Sequence, residues 1–245
     1  MKSVSLNLSG DRVFAGIVLI LVVGGIALFA SASLGLLAQA NGDIAKIAFT
    51  QVVLGLLPGL IALFVLRFIP PKLLLKVIFP FYILTVLLTL VTFLPHIGLT
   101  INGAHRWINL GFTTFQPSEF LKLSVILMFA AYLAKAKQQI TDIKHGLLPF
   151  ALIVGIPCAI LLAQPNTSTV LVIGASCAIL YFLAGAPWRD FGIIIVCALA
   201  ALTVLVFMRP YLMNRVMTFI HPAANSNTTG YQIQQSLIAI GSGGL

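Results

Sequence analysis

Long apolar runs separated by short polar breaks make up most of this chain. A helix crossing a hydrocarbon layer of about 30 Å needs roughly 20 apolar residues. Runs of that order recur at about 13–34, 48–68, 73–94, 117–134, 147–164, 167–185 and 190–208. None alternates with period two, so the pattern predicts helices and excludes a membrane barrel, the other structure that satisfies its backbone inside a bilayer. The breaks are tight. Ile69-Pro-Pro-Lys72 stops a helix, because proline lacks an N–H and restricts the residue before it. Gln164-Pro-Asn166 and Ala186-Pro-Trp-Arg-Asp190 are short turns, and Lys135 to His145 forms a longer polar connector. Beyond Met208 the pattern changes to a polar, amphipathic stretch without an acid, from Arg209 to Gly244. The predicted fold is all-α: a polytopic transmembrane helical bundle, one membrane domain over residues 1–245, with about seven spans and a large external loop at 209–245.

Composition supports this and charge orients it. The chain is 60% hydrophobic and 8% charged, with a net charge of +9. In a soluble protein that excess would suggest nucleic acid. Here the bases sit in short loops, so no nucleic-acid partner is expected. With the N-terminus in the cytoplasm, Lys2, Arg12, Arg67, Lys72, Lys76, Lys135, Lys137, Lys144 and Arg189 fall on the inner side. Only Lys46, Arg106, Arg209 and Arg215 fall outside, as the positive-inside rule favours. Cys158, Cys177 and Cys197 lie within apolar runs and read as small buried hydrophobes. No spacing of His, Cys, Asp or Glu makes a metal site. No cofactor is identified, and a divalent cation has no ligand motif to hold it.

The costly charges lie in Gly103-Ala-His-Arg-Trp-Ile-Asn-Leu-Gly111 and Gln116-Pro-Ser-Glu-Phe-Leu-Lys122. Pro117 suits the first turn of a helix. Glu119 then lies near its positive end, with Lys122 one turn later on the same face. The pair reads either as a structural ion pair or as the lining of a cavity or pathway, and ionisable residues at a membrane edge favour the second. Arg106 reads as an interfacial anchor or as a grip on a diphosphate, which its planar fork suits. His105 has no second metal ligand nearby. The external loop adds Arg209, Arg215, His221, Asn225, Tyr231, Gln232 and Gln234.

Together these stretches resemble the SEDS family, the FtsW/RodA/SpoVE polymerases. The most specific matches are Arg106-Trp-Ile-Asn-Leu-Gly111, Phe115-Gln-Pro-Ser-Glu-Phe-Leu-Lys122 and Tyr231-Gln-Ile-Gln-Gln-Ser-Leu-Ile-Ala-Ile-Gly-Ser-Gly-Gly244. Asp11-Arg12 and Ser31-Ala-Ser33 look like the family start, and the tone is more that of FtsW. The resemblance implies roughly ten spans, some three of them beyond Leu245, so the chain reads as a fragment. It implies a peptidoglycan glycosyltransferase that polymerises lipid II at the outer face of the bacterial cytoplasmic membrane, in cell division or shape maintenance. It also implies a class B penicillin-binding protein as partner. Arg106, Gln116, Glu119, Lys122, Arg215, Tyr231 and Gln232 are then expected to bind substrate. The position of the family's catalytic Asp is occupied by Asn225, and the family's Gln/Glu-Pro-Asp becomes Gln164-Pro-Asn166. An amide is no general base near neutral pH, though it can hold a hydroxyl. Three roles therefore stand open: glycosyltransferase, lipid II transporter, and weakened scaffold for a penicillin-binding protein.

Overall fold

The computed structural model describes residues 12–39, 50–94, 97–101, 104–109, 114–220 and 231–243. The chain divides into two compact units, Met1–Pro70 and Pro71–Leu245.

In the first unit, α1 is Arg12–Gln39, and a π-helical turn at Thr50–Leu56 leads into α2, Leu57–Arg67. Pro58 falls in the first turn of α2, where its missing N–H is tolerated.

The second unit runs α3 (Pro71–Val91), β1 (Gly98–Ile101), β2 (Ala104–Asn109), β3 (Thr114–Phe115) and α4 (Pro117–Ala136). A 3-10 turn at Lys137–Thr141 leads to α5, Leu147–Ala163. Then come α6 (Thr167–Leu183), α7 (Trp188–Met208), α8 (Pro210–Ile220) and α9 (Tyr231–Ser242). A helix thus lies on each predicted apolar run. Among the described residues, α3 and α7 are long and apolar enough by length and composition to cross a membrane.

Helix α4 is the axis of this unit and packs against α3, α5, α6 and β2. Leu121, Val125, Phe129 and Leu133 recur every fourth residue and form a buried stripe. It meets Ile173, Cys177 and Tyr181, which share one face of α6, together with Val154 and Leu161 of α5. Phe129, Phe150 and Tyr181 close this core with ring centroids 5.4 to 6.1 Å apart. The outer faces are apolar as well. Leu171, Leu183, Val196 and Phe207 are all more than half exposed, a distribution that water disfavours and hydrocarbon accepts.

Two features depart from the expected pattern. Gly98–Ile101, Ala104–Asn109 and Thr114–Phe115 are not helix or loop but a three-stranded antiparallel sheet in the order β1-β2-β3. Gly98 pairs with Ile108 and Ile101 with Ala104, with a bulge between Leu99 and Thr100. Gly98 lies so close to the end of α3 that a Cβ there would come within 2.0 Å of the Thr92 carbonyl oxygen, so only glycine fits. Likewise, the loop expected at 209–245 contains α8 and α9, because its apolar residues recur at helical spacing.

Helix α5 is also irregular. Ala151–Gly155 forms a π-helical turn just before Pro157. Pro157 has no N–H to give the carbonyl four residues back, that of Ile153. The Tyr82 hydroxyl of α3 donates to that oxygen instead, at 3.0 Å. Tyr82→Phe removes this donor without changing the ring's volume. It should destabilise the second unit by about 0.5–1.5 kcal/mol, the net worth of one hydrogen bond at a half-buried site. Thermal unfolding in detergent reads this, and an unshifted transition would show that the carbonyl is satisfied without Tyr82.

Candidate functional site

The beginning of α4, the turn between α5 and α6, the end of α3 and strand β2 converge at one end of the second unit. What joins them is polar. Thr85 and Thr89 share one face of α3, Thr92 follows just past its end, and all three are almost wholly buried. The Thr85 hydroxyl lies 2.6 Å from that of Ser124 on α4. The buried side-chain amide of Gln164 donates to the Thr89 carbonyl at 2.8 Å and to the Thr92 hydroxyl at 2.6 Å. Asn166 donates to the Ser118 hydroxyl at 3.2 Å and accepts from Thr169 at 2.9 Å. Gln116 donates to Ser118 from the other side, at 3.0 Å. Among the described residues, the buried hydroxyls and side-chain amides named here each find a partner, which a medium of low dielectric demands.

Arg106 reaches this network from β2. Its guanidinium donates to the Pro165 carbonyl, between the two amide residues, while its buried Nε has no partner among the described residues. One arm of the fork is thereby committed to holding the turn. Glu119 and Lys122 form the expected ion pair at 2.8 Å, with the Glu119 side chain about half exposed and that of Lys122 about a quarter. They head an open groove of about 390 Å³ whose other walls are Phe120, Leu123, Ile126 and Val172. Charge stands at its mouth and hydrocarbon runs below. Such a shape suits an amphiphile with a polar head and an apolar tail.

Of the residues singled out from sequence, Arg106, Gln116, Glu119 and Lys122 are thus brought to one end of the bundle, with Ser118 and Asn166 linking them. Arg215 lies on α8, and Tyr231 and Gln232 begin α9, but their side chains lie outside the described residues. His221 and Asn225 lie outside them altogether. Among the described residues no cluster of three His, Cys, Asp or Glu exists that could hold a metal ion. The residues that sequence reasoning missed are Thr89, Thr92, Ser118 and Thr169. Their signal was faint: small hydroxyls at positions 85, 89 and 92 recur at helical spacing along an otherwise apolar run.

The family comparison agrees with this architecture. Residues 11–245 match the profile of the Cell cycle protein family, FtsW/RodA/SpoVE. The chain belongs to that family. The probable peptidoglycan glycosyltransferase FtsW of Alcanivorax borkumensis is 33% identical over 234 residues, 95% of this chain and 60% of that protein. The one from Coxiella burnetii is 38% identical over 159 residues, 65% of this chain and 43% of that protein. The chain therefore spans about two-fifths to three-fifths of the length of such relatives. Among solved structures, a chain of a peptidoglycan synthase complex that coordinates polymerization and crosslinking superposes with a TM-score of 0.63 at 30% identity, covering 88% of this chain and 64% of its own. The rod shape determining protein RodA of Thermus thermophilus gives 0.54 at 30% identity, over 75% and 58%.

The network carries its own prediction. Gln164→Leu keeps the volume but removes both amide hydrogen bonds, leaving the Thr89 carbonyl and the Thr92 hydroxyl with only their bond to each other. The α5–α6 turn should loosen, and with it the Arg106 contact that holds β2. Amide exchange in β1 and β2 should quicken by at least tenfold, while the core of α4 around Phe129 keeps its protection. Equal exchange across the sheet in both proteins would sever the link from turn to strand.

Proposed function

We propose that this chain carries the substrate-holding part of a peptidoglycan glycosyltransferase that polymerises lipid II at the outer face of the cytoplasmic membrane. The observation that carries the reading is the Glu119–Lys122 pair at the mouth of an apolar groove. It gains support from the family membership of the chain and from relatives named for this activity. The bundle is read as crossing the membrane seven times, with the N-terminus inside and the Arg106–Lys122 end outside. The inside-out distribution of apolar residues and the loop charges both favour that placement.

In the reaction an acceptor sugar hydroxyl attacks the anomeric carbon of the lipid-linked donor. The bond to the diphosphate breaks, and undecaprenyl diphosphate leaves with the bonding electrons. Two kinds of group are required: a base to take the hydroxyl proton and cations to receive the developing diphosphate charge. Lys122, oriented by Glu119, supplies a mobile point charge at the groove mouth. Arg106, whose guanidinium also holds the Pro165 carbonyl, and Arg215 from α8 are the other cations assigned to the diphosphate. Gln116, Tyr231 and Gln232 are assigned to the sugar hydroxyls. The base position falls at Asn225, where an amide can orient the hydroxyl but not deprotonate it. The other departure, Asn166, is tied into the buried network, where its NH2 donates to Ser118, a hydroxyl that could equally donate to a carboxylate. The partner on this reading is a class B penicillin-binding protein that crosslinks the strands.

A weakened scaffold is the second reading, and Asn225 is the specific observation in its favour. A lipid II transporter would use the same charged groove. A polymerisation assay with lipid II on the reconstituted chain separates them. Asn225→Asp should raise the rate by about 10²-fold, the range of general base catalysis. Lys122→Met should remove about 10²-fold or more, as loss of one charge-stabilising group does, with the thermal transition unchanged. Polymer from neither the native chain nor Asn225→Asp, with labelled lipid II crossing vesicles, would replace polymerisation by transport.

A further inference from the structure

We propose that the opposite end of the second unit holds a seat for the headgroup of an anionic phospholipid. The proposal borrows from the reading above only that the bundle lies in a membrane. An open groove of about 1040 Å³ lies where α4 and α6 end, lined by Leu133, Lys135, Gln139, Thr141, Ala184 and Gly185. Helix α6 is closed there by a Schellman motif. The Gly185 amide donates to the Phe182 carbonyl and the Ala186 amide to that of Tyr181, and Gly185 takes a φ of +95°. A Cβ on Gly185 would meet only open space, so the backbone conformation, not crowding, calls for glycine and leaves the groove floor bare.

The charges at this end decide what the groove attracts. Asp190 is wholly buried and satisfied: Arg189 pairs with one carboxylate oxygen at 3.0 Å and Tyr181 donates to the other at 2.8 Å. Asp142 pairs with His145 at 3.1 Å, and the His145 hydrogen bond holds its carboxyl below the usual carboxylate range. Both acids are therefore engaged within the fold. Lys135 lines the groove and has no ion-pair partner among the described residues. Lys144 and, at the start of antiparallel α3, Lys72 and Lys76 add the same sign. The two helix C-termini oppose this with about half a negative charge each, but those of α6 are partly satisfied by the Schellman bonds and Lys135 stands in the last turn of α4. The net field is positive.

Depth selects the source of the anion. Lys135 follows Leu133 of the bundle core by two residues, so the cation stands where an apolar helix meets the interface. Basic pockets between helices at that level hold acidic lipid headgroups, each Lys contributing a modest increment. A soluble anion would have no use for the apolar wall.

The test titrates the purified, delipidated chain with phosphatidylglycerol or phosphatidylcholine and counts retained lipids by native mass spectrometry. Phosphatidylglycerol should be retained in preference. Lys135→Gln should weaken it about fivefold, whereas Lys144→Gln, outside the groove, should change it less than about twofold. Inorganic phosphate should not displace it. Equal retention of both lipids, equal loss in the two variants, or displacement by phosphate would each overturn the proposal, the last pointing to a soluble anion. Lys122→Met should leave phosphatidylglycerol retention intact, so failure of the polymerase reading and failure of this one give different results.

Discussion

A polar group removed from water must find a partner, and that constraint organises the second unit of this protein. Between apolar helices in a lipid there is little hydrophobic gain from association, since hydrocarbon outside is as apolar as the core inside. What remains is close packing and hydrogen bonding across helices, with single bonds worth about 0.6–2 kcal/mol. The seam from Thr85 and Ser124 through Thr89 and Thr92 to Gln164, Asn166 and Ser118 concentrates such bonds at one end of the bundle. Removing a link from such a seam costs more than the link itself, because its partner stays buried and unpaired.

The same seam explains why the site lies where it does. Buried polar groups that satisfy one another fix the α5–α6 turn, and the turn presents the Pro165 carbonyl to Arg106. Strand β2 is thereby held over the beginning of α4, where Glu119 and Lys122 face the groove. The two ends of the bundle use acids differently. At the groove mouth Glu119 is exposed and pairs with a cation that can also meet a ligand. At the connector end Asp190 is sealed against Tyr181 and Arg189 and shut off from solvent.

Asn166 shows how tertiary context changes the meaning of a substitution. In sequence it reads, by resemblance, as a carboxylate turned into an amide, easily taken as lost chemistry. In the fold its NH2 group donates to Ser118 while its carbonyl accepts from Thr169, so the side chain is a buried link between α4 and α6.

Helix positions and the i,i+3 pairing of Glu119 with Lys122 were legible in the sequence because both are local: length, apolar run and helical spacing decide them. The hairpin was legible too, in the Asn102-Gly103 dipeptide between Leu-Thr-Ile and Ala-His-Arg-Trp-Ile, a strong turn signal. It was masked by the assumption that an apolar chain is wholly helical. What the sequence by itself determined is therefore the class of helices, their order and the identity of the charged stretch, since periodicity and charge cost act within a few residues. The tertiary structure alone decided that Tyr82 completes the helix at Pro157, that Gln164 pairs with residues 72 and 75 positions away, and that Arg106 holds a turn 59 residues downstream. Those partners are chosen by which carbonyl or hydroxyl is left unpaired once the helices pack, and no local pattern records that.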